Sequence, residues 1–374
     1  MGRLYLAAAL LLAAAVACPA AAPVVAGKTT AAGVPVNVVT VDLNDAGVRV
    51  TAGVASGYPF ASESFRAFIE RAQPAAAING TFFGKSNLSP VGDLVIGGRV
   101  LHVGRLGTPI AVQGGRSISF PSLRVGRDKA WEGYSSVVCA GPRLLCGGRY
   151  VLNAWAEGFR DRRLLGRAPR AAIGLTSHNK LLLATVSRSI SLWQLARVMR
   201  ALGAVEAVNL DGGSSCGLYC QGRTITRPGR GLTNFIAVYT RPEAYEMARS
   251  QLVPFGFLEG RLAPAAPDWV GKAMAAVGSI QIVEPRQGEV LTGWAPVTMR
   301  PGDKNIEYAV LSLDGATRCI TNTLPYTYHL DSSSVPDGEH TLSVVGFTGD
   351  GSPGPTSEVR VRVANALQQA SGTR

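Results

Sequence analysis

The chain has 374 residues, of which 47% are hydrophobic and 17% charged, a balance that supports buried cores and excludes an intrinsically disordered protein. Its net charge of +12 is uneven, because residues 279–364 hold 6 basic and 10 acidic residues and the remainder 31 and 15. No dense Lys/Arg run or aromatic-interleaved motif accompanies the basic part, which sets nucleic acid as the rival behind anionic partners such as phosphorylated glycans or envelope polymers.

Arg3 followed by the apolar run Leu4 to Ala17 reads as an export signal over residues 1–22, shorter than the ~20 apolar residues that span a bilayer. Ala15-Val16-Ala17 offers the cleavage site, and no second apolar span follows, so the product is expected to be secreted or held in the cell envelope. Lipoprotein anchoring through Cys18 is the alternative, although Ala15 stands where a lipobox carries leucine. In an exported chain the local cysteine pairs Cys139–Cys146 and Cys216–Cys220 are expected as disulfides, with Cys319 left over. A zinc site is disfavoured because no histidine lies near either pair.

Residues 23–35 read as a linker. A strand pair follows, Val36 to Leu43 and Val48 to Gly53, then a helix over Ser62 to Gln73 that stops before Pro74. Short strands continue through Ala75 to Ile78, Asp93 to Ile96, Ile110 to Gln113, Val137 to Cys139, Arg170 to Leu175 and Leu181 to Val186. The clearest helix is Ser191 to Leu202, with a Ser191/Gln194 capping box and Gly203 as its stop. Asn234 to Tyr239 closes an α+β domain over residues 36–241. Residues 242–278, with Pro254, Pro264 and Pro267, read as a linker. Residues 279–364 alternate like a small immunoglobulin-like β-sandwich, and 365–374 as a disordered tail.

One run carries the most chemistry. The strand Ala204 to Asn209 delivers Asp211 to the turn Gly212-Gly213-Ser214-Ser215, whose consecutive backbone N–H groups can form an anion-holding nest. A carboxylate beside such a cradle points to chemistry on a charged substrate. Asp-Gly and Asn79-Gly80 are also ordinary turn pairs, so each has a purely structural reading. Gly213-Ser214-Ser215-Cys216-Gly217 matches a serine-hydrolase elbow in pattern, but Gly217 and Gly222 oppose the helix such an elbow needs. His102 and His178 stand in polar turn contexts and are expected in solvent.

Five segments in order resemble one family. They are Ala77-Ile78-Asn79-Gly80-Thr81-Phe82-Phe83, Gly141-Pro142-Arg143-Leu144-Leu145, Ala168-Pro169-Arg170-Ala171-Ala172-Ile173-Gly174, Asn209-Leu210-Asp211-Gly212-Gly213-Ser214-Ser215 and Arg230-Gly231-Leu232-Thr233-Asn234. They resemble the phosphodiester glycosidases typified by the mannose-6-phosphate uncovering enzyme and its bacterial relatives. The family's threonine after the Pro-Arg pair is Ala171 here.

That resemblance implies a hydrolase releasing a sugar from a sugar-1-phosphodiester. The phosphodiester is a weakly basic leaving group, so the reaction needs a carboxylate at the anomeric centre and a cation on the departing phosphate. Asp211 is expected as nucleophile or base, and Arg170 as a forked phosphate clamp. Asn79 and Thr81 would hydrogen-bond sugar or phosphate, Phe83 would meet a sugar face, and Gly212, Gly213, Ser214 and Ser215 would cradle the anion. Asn234 would orient Asp211, and Glu63 or Asp93 would supply a second carboxylate. No cofactor is expected; calcium on Asp93 and Asp211 is the metal alternative, without EF-hand spacing to support it. The rival reading is a non-catalytic binder of anionic envelope glycans, and the C-terminal sandwich is expected to contact envelope polysaccharide.

Overall fold

The computed structural model describes residues 22–58, 61–84, 88–104, 106–121, 131–253, 279–302, 306, 308–321, 326–348 and 353–365. The expected export signal, Cys18, most of the expected linker beyond Val253 and the tail past Asn365 lie outside these residues.

The protein is mostly β. A seven-stranded antiparallel sheet runs, in spatial order, through Val24–Ala31, Val34–Asp42, Lys180–Ile190, Ala168–Thr176, Ala204–Asn209, Arg143–Cys146 and Arg149–Tyr150. A five-stranded sheet runs through Arg223–Thr226, Leu218–Cys220, Ala76–Asn79, Asn234–Tyr239 and Arg49–Val54. Side chains alternate across a strand, and both faces of the first sheet are covered accordingly. Ile173, Leu181, Leu183 and Val208 face a core shared with Ile78, Phe235 and Val238 of the second sheet. Ala172, Leu182, Ala184 and Ala207 face the opposite way, against Leu192, Leu195, Ala196 and Met199 of the helix Leu192–Ala201.

That helix has the expected Ser191/Gln194 capping box, and Gly203 ends it at φ +91°. The earlier helix is shorter than expected, Phe65–Ala72, because Ser64 rather than Ser62 caps it by accepting from Ala67 N–H. Two expectations near the N-terminus fail. Residues 24–31 are an edge strand paired along its length with Val34–Asp42, not a linker. The strands over 34–42 and 49–54 are real but unpaired with each other, since the first joins Lys180–Ile190 and the second joins Asn234–Tyr239. The turn between them passes the chain from one sheet to the other.

The C-terminal residues, expected as an immunoglobulin-like sandwich, share one of their sheets with the earlier part of the chain. Their strands divide between a three-stranded sheet, Ile280–Glu284, Trp294–Pro301 and Tyr326–Asp331, and one end of a ten-stranded sheet. That larger sheet continues without a break into strands of the first 140 residues. Its joint is a parallel pairing of Ile320 with His102 and Thr321 with Val103. One core therefore mixes Val95, Val137 and Cys139 with Val297, Leu311, Val344 and Val361. Period-two patterning identifies strands but not their partners, so a sheet shared across two chain segments leaves no local signature.

The five cysteines in the described residues are free. Cys139 lies in a strand of the ten-stranded sheet and Cys146 in one of the seven-stranded sheet. Cys216 and Cys220 are separated by extended chain through Leu218–Cys220, which at ~3.3 Å per residue carries their Cα atoms beyond bridging range. His102 also departs from expectation: it is fully buried, and its Nδ1 meets Tyr58 Oη at 3.2 Å. His178 is exposed, as expected.

Candidate active site

The site forms where strand ends of the seven- and five-stranded sheets converge. Strand Ala204–Asn209 leads to Asp211, and strand Ala76–Asn79 leads to Gly80 beside it. Asp211 N–H donates to Gly80 O at 3.0 Å, and Asn79 Nδ2 donates to Asp211 O at 2.8 Å. Asn79 Oδ1 also accepts from Gly217 N–H at 3.0 Å. One buried amide thus holds both ends of the 211–217 turn, and no room remains for larger groups around it. A Cβ at Gly80 would lie 2.0 Å from Asn234 Oδ1, and one at Gly212 2.9 Å from Pro169 O.

Within that turn Gly213–Ser215 makes a single 3₁₀ turn, with Gly213 at φ +61°. The next element is the strand Leu218–Cys220, so the serine-elbow geometry is absent here. The expected cradle is only partly open, because Ser215 N–H donates back to Gly212 O at 3.1 Å.

The Asp211 carboxylate is buried, at 6% exposure. Arg230 Nη2 donates to its Oδ2 at 2.8 Å, while Arg230 Nε donates to Ser215 Oγ at 2.6 Å. Ser215 and the Gly212 N–H also hydrogen-bond the carboxylate. Burial still wins: it raises the Asp211 pKa above the ordinary carboxylate value against the opposing pull of Ser215, Arg230 and Gly212. The Arg230 guanidinium lies 4.4 Å from the centre of the Phe83 ring, so Phe83 fixes the cation.

Arg170 sits beneath this turn, 1% exposed. Its Nε donates to Ile190 O at 3.2 Å, and its Nη2 donates to Leu164 O at 2.9 Å and to Gly166 O. A two-oxygen fork is therefore unavailable to a phosphate, because the carbonyls already occupy Nε and Nη2. Nη1 is the nitrogen nearest Gly212. Burial lowers the Arg170 pKa. Cys216 is pushed up to about 12 by burial, so it is no thiolate at neutral pH.

Asn234 does not contact the Asp211 side chain. Its Oδ1 accepts from Thr81 N–H at 2.7 Å, and its Nδ2 donates to Thr81 O at 3.2 Å, so it positions Thr81. Thr81 Oγ1 and Asn209 Oδ1 are buried polar atoms without a hydrogen-bond partner among the described residues. Such atoms are uncommon in folded proteins and mark places where a ligand atom can be received.

The two candidates for a second carboxylate stand elsewhere. Glu63 accepts from Arg71 Nε at 2.8 Å and from Arg71 Nη2 at 2.6 Å, a buried structural pair. Asp93 accepts from Gly104 N–H at 2.7 Å and from Trp131 Nε1 at 3.0 Å. It is fully buried, in the segment that joins the C-terminal strands. Among the described residues no group of three or more His, Cys, Asp or Glu could hold a metal ion.

Residue-by-residue reading missed two side chains. Arg230 was visible only as part of a motif, following the Pro228-Gly229 turn that brings it back to Asp211. Glu157 had no signal at all. It caps the turn at Gly141-Pro142, accepting from Arg143 N–H at 3.0 Å and from Thr108 Oγ1 at 3.1 Å. Asn209 Nδ2 grips the same turn through Gly141 O at 2.9 Å. Burial raises the Glu157 pKa.

The site is thus a buried Asp–Arg–Ser constellation at a glycine-rich turn of a mostly-β fold. Residues 72–239 match the model of the phosphodiester glycosidase family. Among solved structures the chain is similar to a Synechocystis protein at 19% identity, covering 57% of this chain and 61% of that one, with a TM-score of 0.47. It is also similar to the catalytic domain of zebrafish N-acetylglucosamine-1-phosphodiester alpha-N-acetylglucosaminidase, auto-inhibited by its pro-peptide. There identity is 17% over 58% of this chain and 82% of that one, with a TM-score of 0.48. No curated protein matches the sequence.

Proposed function

We propose that the protein is a glycosidase-type hydrolase that releases a sugar from a sugar-1-phosphodiester of an envelope or extracellular glycan. The observation that carries this reading is the buried Asp211 carboxylate, held by Arg230 and Ser215 inside the segment that matches the phosphodiester glycosidase family. In this reading the bond between the anomeric carbon and the phosphate oxygen breaks. Asp211 attacks or stabilises the oxocarbenium-like centre, or takes the proton of the attacking water.

Arg230 is the cation that meets the departing phosphate, because it is the more exposed partner of the pair. Arg170 adds positive charge from below through Nη1. Thr81 Oγ1 and Asn209 Oδ1 receive sugar hydroxyls, Phe83 borders the sugar, and the turn Gly212 to Ser215 borders the phosphate. Glu157 is better placed than Glu63 or Asp93 to be the second carboxylate, since it packs on the Gly141–Pro142 turn that Asn209 grips. In this reading the apolar run after Arg3 is an export signal and the reaction lies outside the cytoplasm; among the described residues no helix is long and apolar enough to cross a membrane.

The test is sugar release from a panel of sugar-1-phosphodiesters, UDP-N-acetylglucosamine included, by wild type and Asp211→Asn. Release that collapses in a folded mutant supports the reading. Tight glycan binding with no release from any member favours a non-catalytic binder.

A further inference from the structure

A second cleft, shallow and open to solvent, shares no residue with the site around Asp211. It is lined by Arg99, Trp294, Arg318, Tyr328, His329 and Asp331, among others. Its walls come from both ends of the chain. The hairpin joining strands Leu94–Ile96 and Arg99–Val103 turns at Gly97 and Gly98, both at positive φ, and so presents Arg99. The parallel pairing of Ile320 and Thr321 with His102 and Val103 holds that hairpin against the C-terminal strands.

The electrostatics of this cleft are unbalanced. Arg318 Nε is buried with no hydrogen-bond partner among the described residues, and Arg99 lies close enough for its like charge to be felt. The nearby carboxylates are already engaged. Asp314 binds His340 Nδ1 at 2.6 Å and Thr341 N–H at 2.8 Å, and Asp331 Oδ1 accepts from Ser333 N–H at 3.0 Å. Two neighbouring guanidinium groups, one with a buried free N–H, form a receptor for an anion. Trp294 and Tyr328 beside them add flat apolar walls, and His329, Asp331 and Ser334 add groups suited to hydroxyls.

We propose that this cleft binds one anionic sugar unit, with Arg99 and Arg318 taking its phosphate or carboxylate and Trp294 and Tyr328 facing its ring. The cleft would then hold a glycan at the seam between the glycosidase domain and the C-terminal strands, independently of turnover at Asp211. A long anionic polymer of nucleotides fits less well, because Asp331 lines the same small opening.

Calorimetric titration of the full chain with oligogalacturonate, glucose 6-phosphate, a neutral maltooligosaccharide and inorganic phosphate tests this. Saturable binding of at least one acidic sugar is expected, and the arm that binds identifies carboxylate or phosphate as the anion. Arg99→Gln, Arg318→Gln and Trp294→Ala should each weaken it about tenfold or more, with Arg318→Lys recovering part of the loss. Arg99 is partly exposed, so Arg99→Gln carries the test if an Arg318 variant fails to fold. Asp211→Asn should bind as wild type does, which separates this site from the proposed catalytic one. Failure of both acidic sugars to bind below about 10 mM, wild-type affinity in folded Arg99→Gln, or equal affinity for phosphate or the neutral sugar overturns the proposal.

Discussion

Arg230 spans Asp211 and Ser215 with one guanidinium, donating to Asp211 Oδ2 at 2.8 Å and to Ser215 Oγ at 2.6 Å. The exposures of the pair are unequal: the Asp211 side chain is 9% exposed and that of Arg230 30%. An anion arriving from solvent therefore meets the arginine first, and the carboxylate stands behind it. An anionic leaving group and a nucleophilic or basic carboxylate must otherwise repel each other, and a shared cation between them removes that conflict.

Replacing Asp211 with Asn keeps the shape and removes the charge. Sugar release is expected to fall by about 10²–10⁴-fold, while Asn79 and Gly80 still hold the turn. Steady-state rates on the most responsive phosphodiester of the panel, with circular dichroism to verify folding, provide the check.

The pH dependence follows from the raised Asp211 pKa. Here the folded state binds a proton more tightly than the unfolded chain, so stability falls as pH rises from the ordinary carboxylate value of about 4 through the folded value. Asp211→Asn should therefore melt higher than wild type at neutral pH, and the gap should close as pH approaches about 4. In wild type, the acidic limb of kcat/KM should lie above that same value, because the ionised form is the one that reacts. Thermal melts and rate profiles from pH 4 to 8, a span set by the carboxylate and histidine ranges, read both effects.

Arg230→Lys tests whether geometry or charge matters at this position. A lysine keeps one positive charge but cannot donate to Asp211 and Ser215 along two fixed directions, and it loses the planar contact with Phe83. Release should drop by about 10- to 100-fold, with Arg230→Ala lower still. Equal activity in Arg230→Lys would reduce the residue to a point charge.

The turn of the candidate site is legible in the sequence for a physical reason: turns that approach a ligand need glycine and short polar side chains, and such composition stands out between apolar strands. Asp211, Asn79 and the helix Leu192–Ala201 were readable in this way. Partners across the fold were not. Asn234, expected beside Asp211, serves Thr81 instead, and Glu63 and Asp93, expected as second carboxylates, bind Arg71 and Trp131. Each of those assignments depends on which strand ends meet, which hydrophobic alternation leaves open. The joined C-terminal sheet was hidden for the same reason, since its decisive contact pairs residue 102 with residue 320.

Asn79→Ala should behave as a structural lesion with a catalytic consequence. It strands the Gly217 N–H and removes the donor to Asp211 O, two buried groups at about 1–3 kcal/mol each. A lowered Tm with a fall in kcat larger than any change in KM is expected, because the turn that carries Asp211 loosens. Asn79→Asp restores only the oxygen that accepts from Gly217 N–H and sets a buried carboxylate oxygen against Asp211 O, so its Tm should fall at least as far.

Glu63→Gln separates a structural carboxylate from a catalytic one. Glu63 and Arg71 form a bidentate pair with side-chain exposures of 9% and 18%, and Arg71 also donates to Val54 O. Loss of the Glu63 charge leaves that arginine weakly paired inside the fold, which should lower stability by about 1–3 kcal/mol. Nothing in the contact reaches Asp211, Arg230 or Thr81, so kcat/KM below the melting transition should match wild type. Chemical denaturation and initial rates on the same preparation make the comparison. A stable Glu63→Gln protein with collapsed activity would return Glu63 to the active site and would require the 62–64 segment to move toward Asp211 when substrate binds.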